Sequence, residues 1–181
     1  MAKQFDAFED SHRKMVAEQQ VFFVATAAPE GRVNLSPKGM DSLRILGANR
    51  LIWLNVTGSG NETAGHLKQS DRMTIMWCSF TTRPEILRAY GTARTVHTRD
   101  TDWQTLASQL PDLPGARQIY DMQVDMVQSS CGYAVPFMEY QEERPVLRDW
   151  ATNKGADGIA EYWDTRNRTT IDGFETGIVE E

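Results

Sequence analysis

A small antiparallel β-sheet curled into a barrel, with helices collected in the C-terminal half, is the fold this sequence predicts. Three observations carry the expectation. Apolar runs of strand length recur between residues 21 and 97. Short turns join most of them, and short connections favour antiparallel pairing because parallel strands need long crossovers. One short helix, at about residues 61–69, interrupts the series, whereas the pattern beyond residue 100 turns helical. Curled upon itself, a sheet of five or six such strands is a small barrel, and the class is mainly β with flanking helices.

Each element has its own signal. Phe5, Phe8, His12, Met15, Val16 and Gln19 recur at helical spacing and predict an amphipathic helix over 6–20. Val21 to Ala27 is an unbroken apolar run, read as a strand buried on both faces. Ala28-Pro29-Glu30-Gly31 has Pro second and Gly fourth, as a type I turn prefers, and Arg32 to Pro37 returns as the hairpin partner. Leu43 to Leu46 and Leu51 to Val56 flank Gly47-Ala48-Asn49-Arg50, a second hairpin. Met73 to Cys78 is another strand, and Ile86 to Val96 a long one interrupted by Gly91 at a bend or bulge. Thr101 to Leu110 and Ala116 to Val127 read as helices around the breaker Pro111-Asp112-Leu113-Pro114-Gly115. Val135-Pro136-Phe137 suggests one more strand, near 133–138, and Arg144 to Lys154 with Ala156 to Arg166 a helical pair. No repeat or long linker divides the chain, so 1–181 reads as one domain: a barrel core at about 21–97 and a helical extension at about 100–181.

Composition narrows the function. A chain 40% hydrophobic and 24% charged is ordinary for a soluble globular protein. Its net charge of −6 argues against general nucleic-acid binding, which needs a basic footprint. No apolar run reaches bilayer-spanning length, and Met1-Ala2-Lys3-Gln4-Phe5-Asp6 lacks the apolar stretch of a secretion signal. Cys78 and Cys131 form no CxxC pair and suit a reducing cytoplasm. His12, His66 and His97 make no metal-ligand pattern, so no metal site is expected.

The chemistry concentrates in three segments: Val33-Asn34-Leu35-Ser36-Pro37-Lys38-Gly39, Leu51-Ile52-Trp53-Leu54-Asn55-Val56, and Thr57-Gly58-Ser59-Gly60-Asn61-Glu62-Thr63. They read as a strand ending in a lysine, an apolar strand, and a glycine-rich turn opening a helix. Such a turn exposes backbone N–H groups, the helix start adds partial positive charge, and Lys38 adds a full one, so together they suit the phosphate of a cofactor. Ser59 and Glu62 fit the capping box S-x-x-E, which would keep the glutamate off an anion while Gly60, Asn61 and Thr63 still face it. Arg88, in the strand Ile86-Leu87-Arg88-Ala89-Tyr90, must be paired or line a cavity. No Ser/His/Asp order or paired carboxylates stand out, so a bound cofactor would supply any chemistry.

At these residues the chain resembles the pyridoxamine 5′-phosphate oxidase-like family of flavin-binding split barrels. The resemblance covers residues 15–97 and is closest to a branch with V-N-L-S-P-K-G, T-G-S-G-N-E-T and the strand start Pro84-Glu85-Ile86-Leu87-Arg88-Ala89-Tyr90-Gly91. Ser130-Cys131-Gly132-Tyr133-Ala134-Val135-Pro136 and Thr170-Ile171-Asp172-Gly173-Phe174 also look like that branch. The resemblance implies a six-stranded split barrel, a homodimer, and FMN bound in grooves at the dimer interface. Lys38 matches the strand-end lysine near the flavin. Asn34, Leu35 and Ser36 match the stretch along the isoalloxazine ring, and Trp53 and Leu54 the strand leading into the phosphate loop. The departures are equally specific. True pyridoxamine phosphate oxidases carry Ser-Arg-Lys where this chain has Asn61-Glu62-Thr63, and their glutamine on the following strand falls at Ile86. Their C-terminal arginine and tryptophan motif has no clear counterpart.

The expectation is therefore an FMN-dependent oxidoreductase of unidentified substrate, with Lys38, Ser59, Gly60, Asn61, Thr63 and Arg88 at the cofactor. The alternatives are a non-catalytic flavin-binding or storage protein, and a binder of haem or a deazaflavin on the same barrel.

Overall fold

The computed structural model describes residues 2–179 and builds the chain around one antiparallel sheet of eight strands. Met1, Glu180 and Glu181, counted in the 1–181 reading, lie outside the described residues. The elements are β1 (Lys3–Phe5), α1 (Asp10–Ala17), β2 (Phe22–Thr26), β3 (Asn34–Lys38), β4 (Leu43–Ile45), β5 (Arg50–Val56), α2 (Glu62–Leu67), β6 (Arg72–Cys78), β7 (Glu85–His97), α3 (Trp103–Ala107), β8 (Ala116–Cys131) and α4 (Val146–Arg166). The strand order is β3-β2-β6-β7-β8-β5-β4, with β1 added onto β8 off that path. β3 and β4 follow one another in sequence yet end up at opposite edges. The curled sheet therefore stays open between them, as a split barrel with flanking helices.

Alternation builds the core. In β2, Phe22, Val24 and Thr26 point inward, while Phe23 and Ala25 are half-exposed, so one face is fully buried and not both. Val24, Trp53, Ile75, Leu87, Tyr120 and Met122 meet inside the barrel, with Phe8 and Met15 packing from the α1 side. Each such side chain contributes about 1.5–3 kcal/mol by leaving water. The opposite residues of β5, β7 and β8, namely Ile52, Leu54, Val96 and Ile119, pack a second cluster against Trp103, Leu106, Leu110 and Leu113. At Gly91 the β7–β8 register shifts, as its position in the sequence predicts. A Cβ there would sit 2.0 Å from the Gln123 carbonyl oxygen, so only glycine lets β8 come this close.

Several expectations need correction. The sheet has eight strands, not six. Residues 116–127 are not helical but belong to the sixteen-residue strand β8, which lies between β5 and β7 and also pairs β1. Its Tyr120, Met122 and Val124 are buried and alternate with outward-facing Asp121, Gln123 and Asp125, so period-2 burial overrides the helix propensity of Ala, Gln and Met. No strand forms at 133–138: the segment is irregular, with Tyr133 and Phe137 exposed. The helix expected over 6–20 shortens to α1, capped by Glu9 and Glu18, and the residues ahead of it, Lys3–Phe5, form a short strand on β8. The C-terminal helical pair is present as α4, broken at Gly155, whose φ of 66° and ψ of 177° no helix contains.

Candidate functional site

At Val56, β5 ends and the chain turns through Thr57-Gly58-Ser59-Gly60 into α2. Thr57 pins the turn. Its N–H and its hydroxyl both donate to the Gly115 carbonyl at 2.8 Å, and Trp163 Nε1 of α4 donates to its Oγ1 at 2.8 Å. Because Gly115 immediately precedes β8, this tie brings Arg117 beneath the loop. From the other side, β3 presents Asn34, Ser36 and Lys38, alternate residues on one face. Together these groups line a cavity of about 300 Å³.

Two cations dominate it. The Arg117 side chain is only 2% exposed. Its Nη1 donates to Asn167 Oδ1 at 2.7 Å and its Nη2 to the Gly60 carbonyl at 3.0 Å, while Nε has no partner. No carboxylate among the described residues pairs with it, and burial pulls its pKa down. Lys38 Nζ lies 5.5 Å from the centre of the Trp53 ring. Burial, and then the charge of Arg117, lowers the Lys38 pKa from 10.5 to about 8. Buried charges are normally paired, because desolvation otherwise costs several kcal/mol each. Two of one sign in one cavity call for an anion.

The rest of the lining is polar. Ser36 Oγ donates to Asn34 Oδ1 at 2.9 Å, and Asn34 Nδ2 to Thr63 Oγ1 at 3.4 Å. A Cβ on Gly58 would meet nothing within 4 Å, so the loop backbone faces open space there. The expected capping box does not form. The N-cap of α2 is Asn61, and Glu62 instead accepts the Ile171 N–H at 3.2–3.3 Å, which turns its charge toward the C-terminal segment. With six residues, α2 is too short to carry much macrodipole, so the positive potential rests on Lys38 and Arg117.

Of the residues predicted from sequence, Asn34, Ser36, Lys38, Ser59, Gly60, Asn61 and Thr63 line the cavity. Trp53 does not; it is buried as the floor beneath Lys38. Leu54 packs in the second core cluster, on the other face of β5. Leu35 is 63% exposed on the opposite side of β3. Arg88 is not at the cavity either: it donates to Ser130 Oγ at 3.3 Å on the neighbouring strand β8. The arginine of this site is Arg117, and its anchor is Asn167, neither of them anticipated.

The family model described as pyridoxamine 5′-phosphate oxidase matches residues 8–131. The chain belongs to the pyridoxamine 5′-phosphate oxidase family. A pyridoxamine 5′-phosphate oxidase family protein of Aspergillus flavus, ustO, is 30% identical over 190 residues, covering 94% of this chain and 76% of that protein. Among solved structures, a candidate pyridoxamine 5′-phosphate oxidase of Lactobacillus delbrueckii superposes with a TM-score of 0.55 at 18% identity, covering 68% of this chain and 94% of that one. HutZ of Vibrio cholerae, a haem storage protein, superposes with a TM-score of 0.50 at 16% identity, covering 69% of this chain and 96% of its own. At such identities the agreement concerns the split-barrel fold. Within the pyridoxamine 5′-phosphate oxidase family match lie Lys38, the glycine loop and Arg117. Helix α4, Asn167 and the segment that follows lie beyond it. No helix among the described residues is long and apolar enough to cross a membrane.

Proposed function

We propose that this chain binds FMN, holds its phosphate between Lys38, Arg117 and the Gly58–Asn61 backbone, and acts as a homodimeric flavin-dependent oxidoreductase. The observation that carries the reading is a buried arginine and a half-buried lysine in one cavity, neither ion-paired to a carboxylate among the described residues, with the one acidic group of the lining, Glu62, bonded to the Ile171 N–H. The fit to a phosphate is chemical: an unpartnered Arg117 N–H, a lysine, the Ser59 hydroxyl, and loop backbone left open at Gly58. When bound, a flavin supplies hydride or electron transfer; the chain's own part is to hold the phosphate and orient the ring along β3. Mass spectrometry of the ligand released on denaturation, with fluorescence titration of added FMN, tests this. Stoichiometric FMN supports the reading. Failure of both FMN and inorganic phosphate to bind overturns it.

A non-catalytic flavin carrier is the second reading. It is favoured by a cavity lining whose only titratable groups are Lys38, Arg117 and the engaged Glu62. Reduction of the bound flavin by a nicotinamide cofactor separates the two. Haem fits less well. His66 Nδ1 is 3.1 Å from Thr26 Oγ1, the ring packs edge-on to Phe174, and the side chain is 1% exposed, so it offers no ligand to an iron in the cavity. No Soret band is expected.

Two expectations follow. First, a cavity of about 300 Å³ is at the lower limit for a drug-sized ligand, so the isoalloxazine ring must lie largely outside it and needs a second wall. A homodimer burying about 2,000 Å² or more is expected to supply that wall. Sedimentation of a flavin-loaded monomer at micromolar concentration would contradict this. Second, pyridoxamine 5′-phosphate should not be oxidised at an enzymatic rate. It brings a second phosphate, and Glu62 and Thr63 stand where the resemblance puts an arginine and a lysine. A peroxide-coupled assay on FMN-loaded protein should stay far below about 1 s⁻¹; turnover at that level would show that other cations serve the substrate.

A further inference from the structure

We infer that this chain carries a second small-molecule site, between α1 and β4, that takes an amphipathic zwitterion: an apolar body bearing one carboxylate and one ammonium group, as an aromatic amino acid does.

The site is a cavity of about 570 Å³, within the range of small-molecule pockets. It shares no lining residue with the phosphate cavity. Its floor is apolar. Phe22 and Trp77 belong to the barrel core, 5% and 1% exposed, and Val16, Leu43 and Ile45 pack against that core as half-buried side chains.

Charged side chains ring the floor, and they are not equivalent. Asp41 and Arg44 neutralise one another through a two-bond fork, Nη1 to Oδ1 and Nη2 to Oδ2, each 2.7 Å. Arg13 and Glu143 have no such arrangement. Arg13 Nη2 donates to the Gly47 carbonyl at 2.7 Å, but no carboxylate among the described residues pairs with the guanidinium. Glu143 comes from the irregular segment between β8 and α4 and leans over Gly39. Its carboxylate oxygens lie 3.8 and 3.9 Å from where a Cβ on that glycine would sit. Among the described residues it joins no ion pair and accepts no hydrogen bond.

The wall that carries Asp41 is fixed in advance. Met40 and Asp41 have φ of 61° and 53°, the left-handed region that few non-glycine residues adopt. This turn sends Met40 onto the second core cluster and leaves Asp41 on Arg44. Ser42 Oγ donates to the Gly39 carbonyl at 2.7 Å, and the Ser42 carbonyl accepts the Leu54 N–H at 2.8 Å. Backbone strain held by its surroundings in this way gathers at ligand clamps.

The lining defines the ligand. A carboxylate answers Arg13, an ammonium answers Glu143, and an aromatic body covers Phe22 and Trp77. A simple anion is repelled by Glu143, and an uncharged apolar molecule desolvates both charges without replacing the lost water.

The full-length protein is titrated by calorimetry with phenylalanine, with phenylpropanoate, which lacks the ammonium, and with phenylethylamine, which lacks the carboxylate. Phenylalanine is expected to bind with a Kd below about 1 mM, and about tenfold tighter than either analogue. Glu143→Gln should abolish the preference for phenylalanine over phenylpropanoate and keep the preference over phenylethylamine. Arg13→Met should do the reverse. Simple loss of structure would not produce that exchange. If Arg13→Met fails to fold, the wild-type series and Glu143→Gln still decide. Equal affinity for the three compounds, no phenylalanine bound at about 1 mM, or a Glu143→Gln protein with its preferences intact overturns the inference. So does displacement of phenylalanine by inorganic phosphate, which would put it in the other cavity.

Discussion

Arg117→Ala is expected to weaken FMN binding by roughly 30- to several-thousand-fold. Truncating one partner of a buried, hydrogen-bonded charge pair costs about 2–5 kcal/mol. The guanidinium is locked by Asn167 and the Gly60 carbonyl, so it approaches a ligand with little entropy left to lose. Lys38→Ala removes a single charge-assisted contact and should cost about ten- to a hundred-fold. Lys68→Ala, at the far end of α2 and outside the cavity, should change nothing. The order Arg117 over Lys38 over Lys68, measured by flavin fluorescence, is the result that matters. An Arg117→Ala protein that binds FMN as tightly as the wild type would sink the assignment of the site.

Lys38→Met should do the opposite to stability. In the ligand-free fold, Lys38 titrates near 8, well below its ordinary 10.5. Between those two pH values the unfolded chain holds a proton that the folded protein has shed. Stability therefore rises with pH across that window, and the penalty for the buried ammonium is complete below about pH 8. The depression from 10.5 to about 8 corresponds to a penalty on the order of 3 kcal/mol. Methionine fills similar space without a charge, so the ligand-free variant should gain about 1–3 kcal/mol at pH 7. That is roughly 2–12 °C in Tm for a chain of this size. The gain should fade toward pH 10.5. FMN should reverse the ranking, since its phosphate neutralises the lysine in the wild type alone. FMN affinity of the wild type should likewise decline above pH 8, as the ammonium loses its proton. Melting curves between pH 6.5 and 10.5 check this. A variant less stable than the wild type at pH 7 without ligand would show that the lysine is not paying a desolvation cost.

Much of the barrel is visible in the residues themselves. Strands β2, β5 and β6 each coincide with an apolar run bounded by turn residues, β3 and β4 are legible as hairpin partners and β7 as one long strand, and the Gly91 bulge is legible because glycine within a strand needs a reason. Strand β8 was equally open to a reading by period. Tyr120-Asp121-Met122-Gln123-Val124-Asp125-Met126 alternates strictly, but its Gln and Met are good helix formers and its neighbours lie far away in sequence. Reading it as a helix is what hid Arg117. The loop and Lys38 could be placed by local pattern. The capping box could not, because the partner of Glu62 is Ile171, which no window around residue 62 contains. Asn167 is hidden for the same reason. A buried asparagine bonded to Gly58 and Arg117 leaves no periodic trace, and only the folded chain brings the three together.

The position of β8 also constrains how the protein can be made. It is the last strand in the chain, yet it sits between β5 and β7 and accepts β1 besides. As the polypeptide leaves the ribosome, β5 and β7 are both synthesised before the strand that separates them. The nascent sheet therefore has a gap at its centre until Cys131 has emerged, with bare N–H and C=O groups on either side. At about 5–20 residues per second, that interval lasts several seconds. A chain stalled after residue 97 would carry two matched, sticky edges with nothing between them. They could close on each other in the wrong register or recruit a second chain. Synthesis of this protein thus has a vulnerable period that its finished structure does not reveal, and it ends when one sixteen-residue strand slots into place.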